Sequence, residues 1–306
     1  MKVLILGAGG VGGYFGGRLL EKGVDVTFLV REKRMLHLQK NGLVINSIHG
    51  NIKKHVTTIR SGMTHAPFDI IILTNKAYHL AQALDDIEPF VGKNTVIIPL
   101  LNGIKHLQII VDRYGEEKVM GGLCFIETTL DQEGNIIQTS QVHDMVFGER
   151  NGERTKRAEQ IAELFKMKST TFRLSKNIMQ DMWHKYMFIT VLSGITTLMR
   201  SSIGPIQHDD YGKRLIRELF TEVEEIMLRV GAPIAEGMID KYMVVMNKQD
   251  DTMKSSMLRD IEKGGEIEGD HLQGYLVSLA DQYGIQAPLL RIVYKHLQVY
   301  EHNLNK

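Results

Sequence analysis

The stretch Met1–Arg31, MKVLILGAGGVGGYFGGRLLEKGVDVTFLVR, constrains the fold more than any other part of the chain. Lys2 to Leu6 is a short apolar run of the kind that forms a buried parallel strand. Gly7, Gly9 and Gly12 follow in GxGxxG spacing, Val11 to Glu21 carries a helical pattern, and Asp25 to Val30 is a second strand. Strand, glycine turn, helix and strand in this order frame a dinucleotide site. Gly7 permits the tight turn, Gly9 lets a pyrophosphate approach the backbone, and Gly12 lets the helix sit close on the strand. Around Gly10 and Val11 the opening helix offers free N–H groups and a partial positive charge to the phosphates. The end of the second strand selects the cofactor. An acid there binds the ribose 2′-OH, whereas this chain places Arg31, then Lys33 and Arg34. Cations suit a 2′-phosphate, so NADPH/NADP+ is expected over NADH. Glu32 is the one acid nearby and argues the other way.

With 306 residues the chain is long enough for two domains and a sizeable core. Its formal net charge of +1 points to neither nucleic acid nor an acidic membrane as a partner. The single cysteine, Cys124, excludes an internal disulfide and a cysteine-rich metal site. No leader pattern precedes the first strand and no apolar run reaches about 18 residues. A cytoplasmic, soluble protein is expected.

Strand signals alternate with helical ones as far as about residue 173. Leu43 to Asn46 and Lys53 to Thr58 read as short strands, Asp69 to Thr74 and Thr95 to Pro99 as buried ones, and Val119 to Thr129 as a longer one. Thr170 to Leu174 is the last. Alternation of this kind implies a mostly parallel sheet with helices on both faces. Beyond about residue 175 the strand signals stop. Asn177 to Met199, Tyr211 to Val230, Ile234 to Asn247, Gly269 to Tyr283 and Leu289 to His302 read as helices, with Pro205, Pro233 and Pro288 at their boundaries. The expected division is an α/β nucleotide domain over 1–173 and an all-helical substrate and dimerisation domain over 174–306.

Several side chains outside the glycine turn are candidates for chemistry. Lys76 and Asn102 stand in short loops after the buried strands, and ligands of open parallel sheets bind beyond the carboxyl ends of strands. A surface lysine and a turn-forming Asn-Gly would have the same local sequence. Lys185 lies in MWHKYMFITVLSGITTLM, a helix apolar nearly all round. A lysine there snorkels, pairs or faces a wet cleft, and desolvation would ready it as a proton donor. Ser256 and Glu268 are 12 residues apart, about 18 Å in one straight helix. Gly264-Gly265 between them is expected to break that helix and fold the two ends toward one site. The 12 histidines form no HExxH and pair with no cysteine in a zinc pattern, so no metal is expected.

Taken together, these motifs resemble the 2-dehydropantoate 2-reductase (ketopantoate reductase) family over nearly the whole chain. The resemblance rests on GAGGVG at Gly7 to Gly12, Arg31, Lys76, Asn102-Gly103, Trp183-x-Lys185, SSMLxD at Ser255 to Asp260, Glu268 twelve residues after Ser256, and GIQAP at Gly284 to Pro288. It implies a Rossmann domain followed by a helical one. It also implies hydride transfer from NADPH to the C2 carbonyl of a 2-oxo acid. Lys185 and Glu268 would be catalytic; Asn102, Lys185, Ser193 and Ser256 would contact substrate; Gly7, Gly9, Gly10, Val11, Gly12, Arg31, Lys76 and Asn102 would hold the cofactor. The family carries asparagines four and eight residues after the lysine, where this chain has Ile189 and Ser193. That departure favours, as an alternative to 2-dehydropantoate, a bulkier or more apolar 2-oxo acid. A non-catalytic NADP-binding sensor is the further alternative. The apolar C-terminal helices suit either a homodimer or burial within one bundle.

Overall fold

In the computed structural model, which describes residues 1–167 and 172–304, five strands pair in parallel. Their spatial order is Thr57–Ile59, Asp25–Leu29, Lys2–Leu6, Phe68–Leu73 and Val91–Pro99. The first strand therefore lies in the middle of the sheet, and its neighbours on either side begin the two halves of a doubly wound arrangement. Its residues Val3, Leu4 and Ile5 are fully buried, as expected for a strand covered on both faces. Thr74 ties two strand ends together, donating Oγ1 to the Leu6 carbonyl at 2.7 Å.

The helix Gly10–Lys22 explains the density of glycine in GGVGGYFGG. A Cβ at position 16 would stand 2.6 Å from both Ile5 and Phe28 of the parallel sheet. On the other side a Cβ at 13 or 17 would overlap Ile136 or Ile45. These two isoleucines belong to a second sheet, ordered Ile52–Lys54, Leu43–Ser47, Ile136–Gln138 and Thr128–Leu130. The helix is thin because it is packed between two sheets at close range.

Two of the expected strands divide. Lys53 to Thr58 becomes Ile52–Lys54, antiparallel to Leu43–Ser47, and Thr57–Ile59, which joins the edge of the parallel sheet. Val119 to Thr129 becomes Gly121–Phe125 and Thr128–Leu130. Gly121–Phe125 pairs in a three-stranded sheet with Asp144–Gly148, whose other neighbour is Phe172–Leu174. Thr170 and Thr171, expected to open that last strand, lie outside the described residues.

The chain divides into two compact units: Met1–Leu101 with His106–Met179, and Asn102–Lys105 with Gln180–Lys306. Among the described residues of the second unit all regular structure is helical. Its long helix Ile178–Met199 presents Tyr186, Met187, Val191 and Ile195 to the interior. Also buried are Ile216, Leu219 and Phe220 of Asp210–Arg229, Leu276 of Tyr275–Tyr283, and Leu290, Val293 and Leu297 of Pro288–Leu304, with Gly194 of the long helix set against Leu219 and Val293. The helix expected from Ile234 starts instead at Met238, because Gly237 takes a left-handed conformation at its N-cap. Among the described residues no helix is long and apolar enough to cross a membrane.

Candidate active site

The glycine turn has the geometry that its spacing asks for. Gly7 sits at φ +97°, a conformation that favours glycine. A Cβ at Gly12 would overlap the Gly7 carbonyl and Thr74 Oγ1, so the third glycine sets the close approach of helix to strand. A Cβ at Gly9 would meet nothing within 4 Å; the backbone there borders open space. That space is a cavity of about 820 Å³ lined by Gly7, Ala8, Gly9, Arg31, Asn75 and Lys76, among others. Gly9 is the N-cap of the helix and supplies no side-chain hydrogen bond. The first N–H groups, at Gly10 and Val11, are thereby left for an anion. Asn75 adds a buried Oδ1 with no partner among the described residues. An open cradle, an uncapped helix start, an orphaned polar atom and two cations fit a dinucleotide phosphate.

Arg34, the third cation suggested by the sequence, has a different task. It donates Nε to the Ala8 carbonyl at 3.0 Å and Nη1 to the Gly134 carbonyl at 2.7 Å, and burial lowers its pKa. It braces the backbone behind the turn. Sequence reasoning missed Arg60 and Ser61, which also line the cavity. They follow the edge strand Thr57–Ile59, whose pairing with Asp25–Leu29 is a long-range fact.

In the helical unit Lys185 is 9% exposed, and its Nζ donates to Asn102 Oδ1 at 3.0 Å. The Asn102 carbonyl is engaged in turn by His271 Nε2 at 2.9 Å. Gly103, at φ +79°, packs 3.0 Å from Leu272 at its Cβ position. Both His271 and Leu272 belong to a π-helical turn, Asp270–Gly274, that follows Glu268. Tyr186, one residue after the lysine, donates its hydroxyl to the Leu272 carbonyl at 2.5 Å, and burial holds its phenol well above the ordinary range. Burial also lowers the His271 pKa, against the opposing pull of Glu268 and of the Asn102 contact. Glu268 itself is 7% exposed. The π turn thus brings together residues far apart in sequence, and such turns concentrate at functional sites.

The remaining sequence candidates are placed differently. Gly264, at φ +66°, follows the end of the helix Ser256–Glu262, so the stretch from Ser256 to Glu268 is not one helix. Ser256 is the exposed first residue of that helix. Its neighbour Ser255 is buried, caps the helix by accepting from Leu258 N at 3.1 Å, and lies 2.8 Å from Thr196 Oγ1. Ser193 is buried, and its hydroxyl accepts from Gln273 Nε2 at 2.7 Å. Ile189 is half-buried on the same helix.

Comparison with known proteins gives this geometry its context. Residues 3–152 match the family model described as ketopantoate reductase PanE/ApbA, and residues 177–301 match its C-terminal counterpart. The chain belongs to the ketopantoate reductase family. It is accordingly an oxidoreductase. It is 45% identical to the uncharacterized oxidoreductase YkpB of Bacillus subtilis (strain 168) over 301 residues, which cover 98% of this chain and 99% of that one. Among solved structures, the 2-dehydropantoate 2-reductase from Geobacter metallireducens GS-15 superposes with a TM-score of 0.89 at 24% identity, covering 98% of this chain and 99% of that one. The ternary structure of D-mandelate dehydrogenase with NADH and anilino(oxo)acetate gives a TM-score of 0.89 at 19% identity and covers 100% of both chains. Likeness at that identity carries the fold. The family reading of the sequence is borne out, as is the fold class, a parallel-sheet N-terminal domain with a helical C-terminal one.

Proposed function

We propose that this chain catalyses NADPH-dependent reduction of 2-dehydropantoate to pantoate. The observation that carries the reading is the buried Lys185 ammonium held at 3.0 Å by the Asn102 amide. When bound, the reduced nicotinamide supplies the hydride that the C2 carbonyl carbon accepts. Lys185 Nζ gives its proton to the carbonyl oxygen as charge develops there. An amide oxygen orients an ammonium without neutralising it, so Asn102 sets the direction of the donor. Glu268 holds substrate or lysine by charge-assisted hydrogen bonds, and Ser256 orients the substrate from the start of its helix. The glycine turn, with Gly10 and Val11 at the helix start, binds the pyrophosphate. Lys76 and Arg31 supply cations, Arg31 at the 2′-phosphate.

A second substrate reading has its own support. Ile189 cannot hydrogen-bond a substrate hydroxyl, and the Ser193 hydroxyl is engaged by Gln273. A pocket without those groups discriminates weakly for a hydroxylated acid, which favours a more apolar 2-oxo acid. The deciding experiment follows NADPH absorbance with 2-dehydropantoate beside a panel of branched and aromatic 2-oxo acids. Steady oxidation with 2-dehydropantoate that is lost in Lys185→Ala supports the first reading. Turnover confined to an apolar acid supports the second. Tight NADPH binding without turnover of any acid refutes both in favour of a sensor.

A further inference from the structure

The sequence offers Arg31, Lys33 and Arg34 as cations for a 2′-phosphate, but Arg34 is committed to two backbone carbonyls. Arg34 lines the cavity with those two nitrogens already engaged, and Arg60 stands there as a further arginine. Ile59 pairs with Leu29, and its carbonyl accepts from Val30 N at 3.0 Å. The next residues of the two parallel strands, Arg60 and Ser61 on one and Arg31 and Glu32 on the other, therefore leave the sheet edge side by side. All four line the same cavity as the glycine turn. Arg60 Nη1 lies 2.6 Å from Glu32 Oε1.

We infer that Arg60 is a second cation for the 2′-phosphate and a determinant of cofactor choice, with Glu32 as the counter-ion that the phosphate displaces. This rests on the NADPH reading above. The exchange follows from relative strengths. The Arg60 and Glu32 side chains are 42% and 69% exposed, and an ion pair so wet contributes little. A guanidinium gripping a phosphate dianion through parallel N–H bonds is the stronger contact. Glu32 loses little when released. It is the first residue of the helix Glu32–Asn41, where the helix dipole favours a carboxylate. The Ser61 hydroxyl is a further donor at the same place.

The test measures binding of 2′,5′-ADP and 5′-AMP by calorimetry, so that it reads recognition of the phosphate without turnover. The wild-type protein should bind 2′,5′-ADP at least about tenfold more tightly than 5′-AMP. Arg60→Ala should reduce that ratio about tenfold, while 5′-AMP affinity changes less than about twofold. Glu32→Gln should tighten 2′,5′-ADP alone, by about two- to threefold. If Arg31→Ala collapses the ratio and Arg60→Ala leaves it intact, the role of Arg60 is overturned and the NADPH reading stands. A wild-type ratio near one overturns both.

Discussion

Removing the Asn102 amide tests whether Lys185 is aimed rather than merely buried. Lys185 Nζ donates to Asn102 Oδ1 at 3.0 Å, while the main chain of Asn102 is held separately through its carbonyl by His271. Asn102→Ala therefore deletes one acceptor of the lysine and leaves the turn in place. A hydrogen bond to a charged group contributes about 1.5–3 kcal/mol. At about 1.4 kcal/mol per tenfold in rate, kcat should fall by about 10- to 150-fold. Lys185→Ala removes the proton donor itself and should cost about 10²- to 10⁴-fold. The decisive variant is the double one. If Asn102 acts only through the lysine, Asn102→Ala/Lys185→Ala is no slower than Lys185→Ala, within about twofold, because the two losses are one loss counted twice. The assay is steady-state NADPH oxidation with the best acid of the panel, with NADPH affinity measured by fluorescence on each variant. Affinities should agree within about twofold across the set. If the two effects multiply in the double variant, Asn102 touches substrate independently and the positioning argument fails. If Lys185→Ala keeps wild-type turnover, the lysine is not the donor.

The glycine turn yields a paired prediction. Gly12→Ala forces a methyl against the Gly7 carbonyl and Thr74, so it should lower both Tm and nucleotide affinity, with a stability cost of about 1–3 kcal/mol. Gly9→Ala meets open space at an ordinary φ of −81°, so it should weaken nucleotide binding while thermal unfolding stays unchanged; loss of stability in Gly9→Ala would refute the cradle assignment. Glu222 accepts from Leu289 N at 3.0 Å and Leu290 N at 2.9 Å, capping the helix Pro288–Leu304 with one carboxylate. Glu222→Ala should destabilise by about 2–4 kcal/mol in urea unfolding and Glu222→Gln by less, because the glutamine amide keeps one acceptor; equal effects would point to charge alone. His143 stacks on His49 with centroids 3.7 Å apart, and Tyr14 OH lies 2.6 Å from its Nδ1. Burial first, then His49 and Arg18, lower its pKa in the folded chain. The folded state thus resists protonation, and stability is full above the unfolded histidine value near pH 6.5 and is lost as pH falls from there through the lower folded value. Tm should drop as pH falls below about 6.5, and His143→Asn should flatten that part of the profile; an unchanged slope would exclude His143 as its source.

What could be read in the sequence, and what could not, follows the range over which each feature is determined. The first strand, the glycine turn and the helix behind it are local: turn, cap and apolar run lie within about thirty residues, and each demands the next. The helical half is legible for the same reason, since its period repeats within each element. Strand partners are different. Leu43–Ser47 is flanked by Ile136–Gln138, roughly ninety residues away, and nothing in either segment alone names the other. Hence Lys53 to Thr58 and Val119 to Thr129 read as single strands although each serves two sheets.

The same rule divides the candidate site. Gly7 and Gly12 carry their places in the turn in their spacing, and Arg31 its place at the end of the second strand. Arg60 becomes relevant only when Thr57–Ile59 pairs beside Asp25–Leu29, and its charge then stands where a counter-ion from another element has already been placed. His271 is 169 residues from the carbonyl that it engages. Its position depends on one extra residue of winding in the π turn, which shifts every side chain from Asp270 to Gly274 around the helix. A scan for spacing finds Lys185, Glu268 and Asn102 as separate letters. Asn102 joins Lys185 to His271, gripped at its side chain by one and at its carbonyl by the other, so a mutation at position 271 should be felt at the lysine.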